Sequence, residues 1–189
     1  MDTLPGEKFL TPTFQEGKLA FQGVRFDVRT IKIPGKNDTT LERDVVVHPG
    51  AVVILPILDD THIVMIRNER FAVGKELWEL PAGTLDRDES PINTASRELI
   101  EETGYQAKSI QPLSSFYTSP GICNEAMYAF VANDLVFVGQ ALEESEKIVV
   151  ELITWKQALE MIKKGIIIDA KTITTLLYYH LIVTETQLR

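Results

Sequence analysis

Residues 83–105 read GTLDRDESPINTASRELIEETGY, and both fold and chemistry turn on this stretch. Ser90 suits a helix N-cap, Pro91 the first helical position and Gly104 the position just past the end, so a helix is expected between them. Ile92, Ala95 and Leu99 recur at the spacing of one apolar stripe. Each helical residue advances by about 100°, which puts Glu98, Glu101 and Glu102 on one side, about opposite that stripe. Side chains three and four apart are neighbours, and crowded carboxylates raise the cost of ionising one another. A hard divalent cation with oxygen ligands, Mg²⁺ or in its place Mn²⁺, relieves that repulsion. Arg97 lies beside the acidic face and Glu89 just before the helix, positions suited to an ion pair that locks loop to helix. Gly83 removes the Cβ where the chain must turn sharply, and the loop it opens is expected to bring backbone carbonyls to the cation.

A bare Glu-x-x-Glu-Glu is more often a solvated acidic face than a metal site. That reading does not account for Gly83, Glu89, Arg97, Leu99, Gly104 and Tyr105 at their spacings. Together these residues match G-x5-E-x7-R-E-U-x-E-E-x-G-U, with Leu99 and Tyr105 in the bulky apolar U places, at every position. The stretch thus resembles the box of the Nudix hydrolases. The resemblance implies an α/β fold, the Nudix-type α/β/α sandwich with a mixed sheet, and hydrolysis of a nucleoside diphosphate linked to another moiety.

Outward from the box, the chain reads as alternating β and α signals without a repeat or a Gly/Ser-rich linker. From Lys18 to Val47 it reads as strand, turn, strand, with turn chemistry in residues 34–38 (PGKND). Residues 51–55 and 63–66 look like buried strands, and residues 77–83 like a short strand running into a loop. Further β runs are expected near 106–117, 126–131, 148–150 and 152–153. Lys156 to Lys164 reads as a helix stopped by Gly165, and Asp169 as the cap of another from Ala170 to about Val183. The resulting division is an N-terminal β-hairpin region over 1–47 and a catalytic domain over 48–189. Periodicity does not provide the strand order.

Several segments outside the box resemble the ADP-ribose pyrophosphatase branch: Arg43 to Ala51 (RDVVVHPGA), Arg67 to Arg70 (RNER), Glu79 to Gly83 (ELPAG) and Tyr117 to Gly121 (YTSPG). Pro120, about fifteen residues beyond the box, matches a marker of that branch. By this resemblance, Glu98 and Glu102 are the principal metal ligands with the carbonyl of Ala82, and Glu101 is a further ligand or a base. Arg43 and Arg70 hold the diphosphate or terminal ribose, and Glu146 is the general base, with Glu144 and Glu143 as competitors. The N-terminal hairpin resembles a segment exchanged across a homodimer. Its Phe21 and Phe26 are candidates to stack on the base. The implied reaction is metal-dependent cleavage of ADP-ribose to AMP and ribose 5-phosphate. Another nucleoside diphosphate sugar such as GDP-mannose is the main alternative, and a non-catalytic nucleotide-sensing module a lesser one.

Each of these residues also has a plainer reading. Arg43 and Arg70 taken alone suit surface ion pairs, and the 143–146 run suits a solvated acidic loop. His48, His62 and His180 are not at metal-ligand spacing and read as structural, Trp78 as core packing, and Cys123 has no evident catalytic partner. A net charge of −8 argues against a nucleic-acid polymer as partner. One cysteine permits no internal disulfide and fits a reducing compartment. No apolar run approaches the roughly 20 residues of a membrane span, and the first ten residues lack the pattern of a secretory signal. A soluble cytoplasmic protein is expected.

Overall fold

The computed structural model describes residues 17–86, 88–142 and 147–187. Three sheets and three helices account for most of them. The first sheet is β1 (Lys18–Gln22), β2 (Asp27–Pro34) and β3 (Thr40–Val47), antiparallel in that order. It has three strands where the strand–turn–strand reading expected two. The PGKND turn lies between β2 and β3, and Asn37 and Asp38 both adopt left-handed φ there, a conformation these residue types tolerate. β1 is the added strand; all five of its residues are exposed, so no alternation of buried and solvated positions marks it.

The mixed sheet has the order β7–β4–β9–β8, from β7 (Ala82–Thr84), β4 (Ala51–Pro56), β9 (Ala126–Phe137) and β8 (Tyr105–Tyr117). β4 runs parallel to β9 and antiparallel to β7. All six residues of β4 are buried, as its unbroken apolar run requires of a strand covered on both faces. Successive side chains alternate between those faces. Val52 and Ile54 join Ala95 and Leu99 of α1 (Pro91–Thr103), with Tyr128 and Phe130 of β9. Val53 and Leu55 enter the larger core with Ile63, Met65, Leu80, Ile153, Ala158, Ile167 and Leu176.

That larger core includes residues of the third sheet, β10–β5–β6, from β10 (Ile148–Thr154), β5 (His62–Arg70) and β6 (Lys75–Glu79), antiparallel throughout. The helices α2 (Trp155–Lys163) and α3 (Ala170–Gln187) contribute Ala158 and Leu176 to it. Thr154 and Gln157 form a capping box on α2, and the Asp169 carboxylate accepts the Thr172 N–H at 3.0 Å, the cap expected for α3. Residues 77–83, expected as a short strand running into a loop, divide between two sheets: β6 ends at Glu79 and, where the loop was expected, β7 begins at Ala82. The two apolar runs at 148–150 and 152–153 join in the single strand β10, and β9 extends to Phe137, past the expected 131. Among the described residues, no helix is long and apolar enough to cross a membrane.

Candidate active site

The helix of the box forms as expected, over Pro91–Thr103, with Ser90 extended at the N-cap and Gly104 left-handed at its end. The Ser90 hydroxyl makes no capping bond; its carbonyl accepts the Asn93 and Thr94 N–H groups at 2.9 and 3.0 Å. The buried face departs from the expected stripe. Ile92 is 41 % exposed, and the buried residues are Thr94, Ala95, Leu99, Glu102 and Thr103. At about 100° per residue, Glu102 falls only about 20° from Ala95 around the helix, not opposite the stripe. It is 3 % exposed.

The two outer acidic residues of the box helix meet the strand before it. The Glu102 carboxylate accepts the backbone N–H of Ala82 at 2.8 Å. A Cβ on Gly83 would fall on the carboxyl carbon and Oε1 of Glu98. Glu98 and Glu102, one turn apart, therefore both reach the Ala82–Gly83 dipeptide at the start of β7. Here Gly83 is required by close approach rather than by a positive φ. Gly83→Ala is expected to push the Glu98 carboxylate out of this cradle and to lower any activity that depends on it by about a hundredfold. Steady-state kinetics beside a thermal melt checks this, since the atoms a Cβ would displace belong to the far end of the flexible Glu98 side chain.

Arg97 holds the box together from the other side. Its Nη1 donates to Glu98 Oε1 at 2.9 Å and to Glu101 Oε2 at 2.8 Å. Nη2 and Nε donate to Glu89 Oε2 at 3.0 and 3.3 Å, and Asp86 lies 3.7 Å from Nη2. Thr94 Oγ1 also donates to Glu89 Oε2, at 3.0 Å. The expected loop-to-helix ion pair is thus present and branches to four carboxylates. The Arg97 hydrogen bond, against the opposing effect of burial and with a weaker bond from Thr94, holds the Glu89 carboxyl below its usual range. Burial acts against the charge of Arg97, and its bonds to Glu89, Glu98 and Glu101 outweigh that, so its pKa is raised.

The donor set suits a hard cation. Every candidate donor is an oxygen, from Glu98, Glu101, Glu102 or the backbone beside Gly83, with no histidine or thiolate among them. Among the described residues, no three His, Cys, Asp or Glu side chains already converge as a ligand group. Arg97 is the cation that Glu98 and Glu101 share, and a metal ion bound by Glu98 would compete for that carboxylate with the Arg97 guanidinium. Two of its neighbours, Glu89 and Glu101, remain to neutralise the guanidinium.

The other described residues singled out in the sequence stand on different elements. Arg70 ends β5 and donates from Nε and Nη2 to the two carboxylate oxygens of Glu79, at 2.8 and 2.6 Å. Arg43 is exposed on β3, with Nη1 donating to the carbonyl of its neighbour Glu42. Among the described residues, no hydrogen bond or ion pair joins Arg43 to Arg70 or to the box. Pro120 is exposed in the loop between β8 and β9. That loop is stitched to the end of β3: Val46 N–H donates to the Ile122 carbonyl, and Asn124 N–H to the Val46 carbonyl. Glu146, with Glu143 and Glu144, lies outside the described residues.

The plainer assignments fit their surroundings. His48 Nδ1 accepts the Gly50 N–H, His62 is bonded within its turn to Asp59 and Thr61, and the Trp155 indole N–H donates to His180. Trp78 packs against the larger core, with the Arg67 guanidinium 6.0 Å from its ring centre. Phe21 and Phe26 are both exposed. Glu79, Lys171 and Thr172 were not apparent as a group from the sequence. Glu79 is fully buried, Lys171 Nζ donates to its Oε2 at 2.6 Å, and Thr172 Oγ1 accepts the Leu80 N–H at 2.9 Å. The partners are 92 positions apart in the chain, and no local pattern signals such a pairing.

Known proteins resemble this chain along most of its length. The NUDIX domain model matches residues 47–176. An ADP-ribose pyrophosphatase of Bacillus subtilis (strain 168) is 36% identical over 163 residues, 85% of this chain and 88% of that protein. A methanol dehydrogenase activator of Bacillus methanolicus is 38% identical over 160 residues, 84% and 85% of the two chains. A GDP-mannose pyrophosphatase of Shigella flexneri is 38% identical over 139 residues, 68% and 72%. In fold, the crystal structure of an ADP compounds hydrolase superposes with a TM-score of 0.79, covering 98% of both chains at 21% sequence identity. The unbroken box, the two carboxylates on Ala82–Gly83 and these matches lead to one conclusion: the chain belongs to the NUDIX domain family.

Proposed function

We propose that this protein hydrolyses the diphosphate bond of ADP-ribose, with Mg²⁺, to AMP and ribose 5-phosphate. The observation that carries the chemistry is the meeting of Glu98 and Glu102 at Ala82–Gly83, with Arg97 fixing the box around them. The Bacillus subtilis relative named ADP-ribose pyrophosphatase supports the substrate. Glu98, Glu102 and the Ala82 carbonyl would hold the ion, with Glu101 as a further ligand. When bound, Mg²⁺ withdraws charge from the diphosphate oxygens and acidifies water. The chain's own groups do the rest. Arg70 and Arg43 hold the diphosphate or the terminal ribose, and the loop bearing Pro120 borders the substrate. Glu146 takes the proton of the attacking water, with Glu143, Glu144 and Glu101 as its competitors. Water adds to one phosphorus as the bridging P–O bond breaks, so one water is consumed for each AMP and ribose 5-phosphate formed.

Arg43 stands on a sheet that precedes the NUDIX match, and Leu19, Phe21 and Leu41 of that sheet, with Phe26 in the turn between β1 and β2, are exposed. A homodimer in which residues 1–47 of each subunit pack on the other's catalytic domain, residues 48–189, would cover them and bring Arg43 to the partner's site. A cytoplasmic setting completes the proposal.

The test is turnover of ADP-ribose, GDP-mannose, UDP-glucose and ATP by the full chain, with Mg²⁺ and after chelation. AMP release that prefers ADP-ribose, stops with chelator and returns with Mg²⁺ is the expected result. Preference for GDP-mannose, for which the Shigella flexneri relative speaks, would keep the chemistry and replace the substrate. No turnover of any of the four, with metal bound, would favour a nucleotide-sensing role instead.

A further inference from the structure

Glu79 closes β6 with its carboxylate fully buried, and two cations meet it. Arg70 binds it side-on through Nε and Nη2, and Lys171 Nζ reaches Oε2 at 2.6 Å. Lys171, in the first turn of α3, also pairs with Asp169 at 3.0 Å. Two positive and two negative groups make this cluster neutral. The Lys171 side chain is 13% exposed and that of Arg70 37%, so the ammonium is enclosed while the guanidinium reaches the surface. Arg70 Nη1 makes no hydrogen bond to any described residue. The Glu79 hydrogen bond, against burial, raises the pKa of Arg70, and the charges of Glu79, Glu102 and Asp169 raise it further. Arg70 therefore stands in the field of Glu102, a carboxylate of the box.

We propose that Lys171 is a positioning residue for hydrolysis of the nucleoside diphosphate sugar, keeping Arg70 electrostatically able to receive the anionic diphosphate. The inference rests on the function proposed above. Without Lys171, Arg70 faces both Glu79 and Asp169, and the cluster changes from neutral to one net negative charge. A diphosphate approaching Nη1 then meets repulsion at short range, where an added unit charge is worth far more than in bulk water. Lys171 touches no substrate in this scheme and acts only through the charge around Arg70. Its effect belongs in KM, because binding of the diphosphate weakens while the reacting groups of the box are unmoved.

Steady-state kinetics of the full chain with ADP-ribose and Mg²⁺ tests this. Lys171→Gln is expected to raise KM by about tenfold and to change kcat by less than about threefold. Lys171→Arg, which keeps the charge, is expected to stay near wild type. The decisive variant is Asp169→Asn/Lys171→Gln. It restores a neutral cluster, retains an oxygen for the Thr172 N–H cap, and is expected to recover most of the lost KM. A structural or direct-contact role for Lys171 predicts no such recovery, because the second change removes one more ion-pair partner. Unchanged KM in Lys171→Gln, or no recovery in the double variant, overturns the proposal. Should Lys171→Gln fail to fold, Asp169→Asn alone reads the same charge with opposite sign: KM is expected to fall, and a KM that is unchanged or raised overturns the proposal. Wild type inactive on ADP-ribose and GDP-mannose sinks both this and the proposed function, whereas active wild type with an indifferent Lys171 sinks this one alone.

Discussion

Glu102→Gln is expected to lower kcat on ADP-ribose by about a thousandfold, equivalent to about 4 kcal/mol of transition-state stabilisation, while the fold persists. The substitution removes a charge and almost nothing else. Glutamine keeps the length of the side chain and a carbonyl oxygen that accepts the Ala82 N–H now bound at 2.8 Å. The helix keeps its packing through Ala95 and Leu99. What it loses is one of the two carboxylates that meet at Ala82–Gly83, and a divalent cation held by the remainder is bound more weakly and placed less exactly. Turnover measured across a Mg²⁺ titration, beside a thermal melt, separates the outcomes. A folded variant with near-wild-type turnover would remove Glu102 from the proposed metal set.

The largest stability effect is expected at the other buried carboxylate. Arg70→Ala/Lys171→Met leaves Glu79, 0% exposed, without either of its cations. Breaking a buried pair so that a lone charge remains costs about 3–5 kcal/mol. Each single substitution leaves one cation in place and is expected to cost about 1–2 kcal/mol, so the double loss exceeds the sum of the singles by an amount a double-mutant cycle can read. The deficit has a pH signature. A lone buried carboxylate has its folded-state pKa raised above the unfolded value, so it destabilises at neutral pH, and the penalty fades as pH falls through that raised pKa. Adding Glu79→Leu to the double variant removes the stranded charge and is expected to restore much of the lost stability. Urea unfolding at neutral and mildly acidic pH checks all three statements; strictly additive losses, independent of pH, would falsify the account of Glu79 as a shared counterion.

Much of the box could be read directly from residue order. Pro91 and Gly104 bound α1 as their conformational preferences require, and the eight-residue gap between Glu89 and Arg97 is closed by the expected ion pair. The misjudged feature was the helix face. At about 100° per residue Glu102 stands about 20° from Ala95 and about 60° from Leu99 whether or not Ile92 is counted, so the spacing itself sets it beside the stripe, and Thr94, Glu102 and Thr103 are the polar residues of α1 that the packing buries. Periodicity ranks side chains by hydrophobicity, and it has no means of recognising a carboxylate buried because a backbone N–H from another strand awaits it. The same blindness hid Glu79, which sits between Trp78 and Leu80 and shows nothing to distinguish it from a solvated glutamate.

Residue order alone therefore determined what is local: where α1 starts and stops and which glutamates share its turns, and, with the whole box, the family. Such features depend on contacts within one or two helical turns, and spacing records those contacts. Only the tertiary structure decided which strands are neighbours, that residues 77–83 pass from one sheet to another, and that the first turn of α3 is brought against Glu79. Those arrangements come from burying apolar faces that lie far apart in the chain, a force that is non-directional and leaves no pairwise mark on the sequence. Lys171 and Glu79 meet at 2.6 Å across 92 positions because β6 and α3 share a core, and the charge around Arg70 follows from that packing.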